Sequence, residues 1–238
     1  MGTTVFGVQK YKPALEQVVL RRGIETHFRH DLIEILVESK EAIFEQMGTG
    51  EIIVMSYEMI HATPPMSPPD FVKNSPPSNE AGWVDVYQYS LQHRRYSNIF
   101  SLGDAGGTPN GKTGGIRKQA PVVVGNLMTV REGRDPVGRY NGYTSCPIIT
   151  DDGKLILAEL DCDNNPRETF PFNQARERRS TYWLKRYVLP MRYWHGMLKG
   201  RVYTTRHAHQ GFERFQISSF YKDLSYANRH YPDYSDRG

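Results

Sequence analysis

Cysteine is scarce in this chain: Cys146 and Cys162 are the only two in 238 residues, too few for a secreted disulfide framework. Long apolar runs are missing as well, and none reaches the ~18 to 20 residues that a membrane-spanning helix requires. The opening residues, Met1-Gly2-Thr3-Thr4-Val5-Phe6, show neither the apolar region of a signal peptide nor an Arg-rich amphipathic presequence. Phe6 occupies the position at which a myristoylation pattern wants Ser or Thr, so the chain is expected to start inside a fold. Internal repeats and low-complexity tracts are missing too. What remains, 38% hydrophobic and 24% charged, describes a globular protein with ample material for a core. The net charge of +4 comes from basic residues interspersed with acids, so it makes no case for nucleic acid, and none is expected as a partner.

Along the chain, Tyr11 to Arg22 has the apolar spacing of a short helix, with Pro13 in its first turn and Gly23 as its stop. Ile24 to Phe28 is expected as a strand. Leu32 to Val37, Ala42 to Phe44 and Ile52 to Met55 follow as an antiparallel meander. Pro64-Pro65 and Pro68-Pro69 cannot continue a sheet and begin a rigid surface loop. Trp83 to Val86 is expected as a short strand. Tyr143 to Ile149 and Lys154 to Leu160 form a hairpin around the turn signal Asp151-Asp152-Gly153. Tyr182 to Leu198 mixes Trp183, Tyr187, Met191 and Trp194 with Lys185, Arg186 and Arg192 around Pro190. That composition suits either a helix lying on a membrane surface or an amphipathic core helix. His27 and His30 have metal-ligand spacing but fall in a segment that alternates as a strand, and His207-Ala208-His209 lies in a polar tail; no metal is expected.

The stretch Asn98 to Thr113 organises the rest. Ile99, Phe100 and Leu102 are expected as a buried strand, followed by a glycine-rich turn and a helix that opens at Lys112-Thr113. A helix N-terminus after such a turn attracts a phosphate through unpaired N–H groups and the helix dipole. Gly106 to Thr113 fits G-x-x-x-x-G-K-T, the nucleoside-triphosphate loop, and Asp161, at the end of the strand-like run from Leu155, would supply its metal-holding acid. The alternative ligand is the pyrophosphate of a flavin. Asp104 intervenes between strand and turn, where a carboxylate suits a ribityl or ribose hydroxyl better than a triphosphate, and Gly114-Gly115 favour close backbone approach over helix stability.

Longer blocks favour the flavin, with a P-loop-type nucleotide-binding protein or a non-catalytic paralogue as the alternatives. These are Val5 to Tyr11, His61 to Asp70, Ala81 to Val86, the Gly103-Asp104 turn with Lys112-Thr113, Gly142 to Pro147, Glu168 to Phe172, and Trp194 to Gly200. In this order they resemble the C-terminal half of the eukaryotic mitochondrial type of sulfide:quinone oxidoreductase, a family of FAD-dependent flavoproteins with two dinucleotide-binding domains. The resemblance implies an α/β fold with α+β character: an incomplete FAD/NAD(P)-binding Rossmann-like three-layer fold with a β-meander and a C-terminal amphipathic helical region. It divides the chain into a partial second dinucleotide-type domain (1–97), a returning FAD segment with the redox-cysteine hairpin (98–179), membrane-associating helices (180–200) and a divergent polar tail (201–238).

It also implies chemistry. Sulfide would be oxidised at a cysteine pair, its sulfur passed to a small thiol or sulfite, and its electrons passed through FAD to ubiquinone. Cys146 aligns with the family's redox cysteine, while the acids flanking Cys162 disfavour its thiolate. Asp104, Lys112, Thr113, Gly114 and Gly115 would contact FAD, and Lys185 would lie near the sulfur-acceptor cavity. The segment 182–198 would rest on the mitochondrial inner membrane as a peripheral, monotopic anchor. The family's first dinucleotide motif and second redox cysteine have no counterpart before Asp104 and Cys146, so the chain is expected to be a fragment, a truncated gene product or a degenerate copy, inactive alone. Arg117-Lys118 and the extra glycines depart from the family pattern.

Overall fold

The computed structural model describes residues 3–108 and 113–199, the side chains of Thr113 and Gly114 excepted. The polar tail from residue 201 and most of the glycine-rich turn therefore lie outside the described residues. Helices and two antiparallel sheets make the chain a mixed α/β protein.

Helix α1 spans Lys12–Arg21, with Pro13 in its first turn, where a missing N–H costs nothing, and Gly23 at φ +62° ending it. The expected strand Ile24 to Phe28 does not form. Ile24 and Phe28 are exposed, no strand pairs with this segment among the described residues, and Arg29 turns the chain at φ 60° before pairing begins at His30. The meander itself follows as expected: β1 (His30–Leu36), β2 (Glu41–Gln46) and β3 (Ile52–Ser56) pair in sequence order, with an irregularity in β1 between Leu32 and Glu34.

A proline-rich stretch leads through the short helix α2 (Asp70–Lys73) into a region held by loops. Trp83 to Val86 forms isolated bridges, Val84 to Ser78 and Gly106, and Val86 to His93, in place of a strand. Ile99, Phe100 and Leu102 are likewise not a buried strand: all three are half-buried, and Phe100 makes a single bridge to Gln92. The turn at Tyr96 and Gly103, at φ +65°, leave too few residues between them for a ladder. His93 ties this region together, its Nδ1 accepting from the N–H groups of Arg95 and Tyr96 while Nε2 meets the Pro77 carbonyl at 2.9 Å.

Helix α3 runs Thr113–Arg131 with Pro121 inside it. Strands β4 (Thr144–Asp151) and β5 (Lys154–Leu160) form the expected hairpin, its turn closed by Gly153 at φ +67°. The chain ends in α4 (Arg179–Trp183), a π-helical turn (Leu184–Val188) and α5 (Leu189–His195). The π turn immediately precedes Pro190, whose missing N–H breaks the regular ladder. The larger core joins Val8, Tyr11 and Leu15 to Ile156, Ala158 and Leu160 of β5, and a smaller one joins Leu91, Val122 and Tyr140.

Candidate functional site

Asp104 sits in a single 3-10 turn, Gly103–Ala105, with its side chain exposed. Two contacts fix this turn. Gly103 donates its N–H to Gln119 Oε1 on α3 at 2.8 Å, and Ala105 accepts from the Val84 N–H at 3.0 Å. Gly107 is closely packed here: a Cβ would lie 3.0 Å from Asn79 Nδ2 and 3.2 Å from the Val84 carbonyl oxygen, so both would have to give by a few tenths of an ångström to admit one. Next to it, Thr108 Oγ1 is buried with no hydrogen-bond partner among the described residues. Such an orphaned hydroxyl costs about 1–3 kcal/mol unless something completes it. Lys112, and with it the middle of the triphosphate-loop pattern, lies outside the described residues, as do the side chains of Thr113 and Gly114; Gly115 is buried at the start of α3.

Helix α3 packs against both the Asp104 turn and β4, so one element spans the two halves of the expected site. Cys146 lies on β4 opposite Ala158 of β5. Its side chain is half-buried against the larger core, beside Ile148. A thiolate is favoured by electropositive surroundings, and Lys185 reaches the neighbouring residue, its Nζ donating to the carbonyl of Pro147 at 3.3 Å. Cys162 behaves as expected of a thiol: burial and then the charges of Asp163 and Asp161 push its pKa up. Gly142, at φ +76°, packs so tightly on it that a Cβ would come 2.9 Å from Sγ.

On the far side of β5 from Ala158 is a group to which the sequence reading gives no role. Glu159 is 3% exposed. Its Oε1 accepts from the hydroxyls of Tyr143 and Thr169, and its Oε2 from the Thr169 N–H at 2.7 Å and Gln174 Nε2 at 2.8 Å. Its main-chain N–H and carbonyl both meet the Tyr11 hydroxyl. Burial lifts the Tyr11 pKa to about 12 and raises that of Tyr143, where the Glu159 hydrogen bond acts in the same direction. The signal was present in the sequence: one acid inside the apolar run Leu155 to Leu160 needs a full set of donors to be buried. Lys118 of α3, one of the departures from the family pattern, turns towards this cluster, with Nζ 5.3 Å from the centre of the Tyr143 ring. Its burial lowers its pKa.

Among the described residues no group of three or more His, Cys, Asp and Glu side chains is arranged to hold a metal. His27 and His30 meet edge to face with ring centroids 6.0 Å apart. No helix is long and apolar enough to cross a membrane among the described residues. Trp183 is 61% exposed, Met191 56% and Trp194 62%, so these apolar side chains of the C-terminal helices are not packed into a core.

No protein-family model matches the chain. Individual proteins do. Mitochondrial sulfide:quinone oxidoreductase of Mus musculus is 42% identical over 199 residues, 83% of this chain and 44% of that protein. The protein of the same name from Dictyostelium discoideum is 44% identical over 202 residues, 84% of this chain and 44% of its own length. The one from Schizosaccharomyces pombe is 34% identical over 212 residues, 85% of this chain and 46% of that protein. In three dimensions, a chain of the Tetrahymena thermophila mitochondrial ATP synthase F1Fo tetramer matches with a TM-score of 0.62 at 22% identity. That match covers 82% of this chain and 46% of the other, and speaks for the fold alone. The chain belongs to the mitochondrial sulfide:quinone oxidoreductase family, of whose matched members it spans somewhat less than half the length.

Proposed function

We propose that this chain supplies the redox-cysteine hairpin and one wall of the FAD site of a sulfide:quinone oxidoreductase, within a Rossmann-like three-layer fold completed by further polypeptide. The observation that carries this reading is identity of 34–44% to enzymes of that name across 83–85% of the chain. The residues present fit the cofactor: an exposed carboxylate at Asp104, an orphaned buried hydroxyl at Thr108 and the buried Gly115 support a polar, closely approached ligand at the start of α3. Asp104 would hold a ribityl hydroxyl, and Lys112, Thr113 and Gly114 the pyrophosphate side and the isoalloxazine edge. When bound, FAD supplies a two-electron acceptor that passes electrons on to ubiquinone.

Cys146 is the leaving thiolate when sulfide sulfur attacks a disulfide between it and a second cysteine. Lys185, anchored at the neighbouring Pro147 carbonyl, brings a positive charge to that end of β4 and orients the sulfur acceptor, a small thiol or sulfite. Trp183, Tyr187, Met191 and Trp194, with Lys185, Arg186 and Arg192 among them, rest on an anionic membrane surface and give quinone access. The mitochondrial inner membrane is the proposed location, with peripheral attachment. Turnover requires the second cysteine, so the chain alone is proposed to be inactive.

Titration of the purified 238-residue chain with FAD tests this reading. Quenching and a shifted flavin spectrum are expected, weakened at least ~tenfold in Asp104→Ala, without sulfide-dependent reduction of a short-chain ubiquinone. ATP binding that is lost in Lys112→Ala, without any response to FAD, would overturn it in favour of a triphosphate loop; quinone reduction by this chain alone would overturn the claim of inactivity.

A further inference from the structure

Thr144 and Cys146 stand two residues apart on β4 with no irregularity between them, so their side chains share one face of the hairpin. Leu160 and Ala158 of β5 lie opposite them, and the larger core packs on that face. Thr144 is 0% exposed, yet its Oγ1 meets no hydrogen-bond partner among the described residues. Valine would fill the same space without burying a hydroxyl, so an unpaired hydroxyl here is a net cost to folding. It calls for an acceptor stronger than the resting thiol beside it. A neutral thiol accepts weakly, whereas a thiolate carries a full charge and accepts well. Other polar groups on the elements around Cys146 are engaged elsewhere. Tyr11 of α1 bonds the Glu159 main chain and the Glu168 carboxylate, and the Glu159 side chain lies on the opposite face of β5. Lys118 of α3 turns towards the Tyr143 ring, and Lys185 donates to the Pro147 carbonyl.

We infer that Thr144 donates its hydroxyl to Cys146 Sγ when that sulfur becomes a thiolate, and so sets how readily the thiolate forms. Same-face neighbours on a strand have Cα atoms about 6.8 Å apart, a gap that Thr and Cys side chains leaning together can close. The inference rests on the role proposed for Cys146. There, the sulfide sulfur bonds to the second cysteine's sulfur, the disulfide breaks, and its electron pair stays on Cys146 Sγ. Thr144 keeps its proton throughout and shares it in an O–H···S hydrogen bond. A better-stabilised thiolate leaves a disulfide faster.

Alkylation of the 238-residue chain with iodoacetamide tests this, with mass spectrometry separating Cys146 from Cys162. The reagent attacks the thiolate, so the rate reports how readily Cys146 gives up its proton. Thr144→Val is expected to slow Cys146 at neutral pH by ~threefold or more and to move its pH profile upward. Thr144→Ser should restore the native profile, while Ser145→Ala, on the opposite face, should leave the rate within about twofold. The urea midpoint of Thr144→Val should not fall, because the change removes an unpaired hydroxyl. A fallen midpoint would mean that the hydroxyl is already paired and would overturn the inference. An unmoved profile in Thr144→Val, an equal slowing in Ser145→Ala, or a native Cys146 that reacts at no pH would overturn it too. A shifted profile in a chain that fails to bind FAD would count against the proposed function and leave the Thr144 hydrogen bond standing.

Discussion

Arg21 and Glu177 join α1 to the segment before α4 through two parallel hydrogen bonds of 2.8 and 2.9 Å. The Arg21 guanidinium draws the Glu177 pKa from 4.5 down to about 2. A depressed carboxylate contributes stability above its unfolded value and loses it as pH falls towards the folded one. The contribution from this pair is therefore complete above pH 4.5 and disappears as pH approaches about 2. Because Arg21 is fully solvated, the contribution is expected to be small. Urea unfolding at a series of pH values measures it: the difference in midpoint between the native chain and Arg21→Ala should shrink across that window and vanish below it. A difference that persists at pH 2 would show that Arg21 acts by packing its aliphatic stem.

The hairpin β4–β5 was the most legible element in the sequence, because an Asp-Asp-Gly turn between two apolar runs leaves few alternatives. What holds the hairpin was not legible. The donors that gather on Glu159 come from residues 143, 169 and 174, and only the folded chain brings them together. Glu159→Ala would leave the Tyr143 hydroxyl and one Gln174 Nε2–H buried without an acceptor, the other Gln174 Nε2–H keeping the Leu157 carbonyl, and is expected to cost about 3 kcal/mol in urea unfolding. Glu159→Gln should cost closer to ~1 kcal/mol, since its amide group can turn towards the Tyr143 and Thr169 hydroxyls, which rotate to accept. Equal losses in the two variants would mean that side-chain volume, not hydrogen bonding, is what the site needs. The expected strands at Ile24 to Phe28 and Ile99 to Leu102 failed for the complementary reason: β-prone residues make a strand only where a neighbour presents a free edge, and sequence pattern does not report the neighbour. The same holds at the candidate site, where Asp104 was legible as an acid in a glycine turn but its anchor, Gln119, was not.

Across the whole molecule the apolar burial is uneven. Leu155, Ile156 and Ala158 are fully buried and Leu160 is 1% exposed, whereas in the three strands of the meander only Ala42 is buried. Local opening is governed by how much such burial it undoes, so the two sheets should not open together. Opening β5 dismantles the larger core, the Glu159 hydrogen bonds and the seat of α1, which makes it close to global unfolding. Opening β1–β3 gives up ladder hydrogen bonds and little apolar area. Native-state hydrogen exchange on the isolated chain is expected to give β5 amides protection about a hundredfold or more above those of the meander. The amide of Glu159, at the junction of the core and the buried polar cluster, should be among the slowest. If the meander amides were instead protected as well as β5, the uneven burial would not describe the molecule in solution.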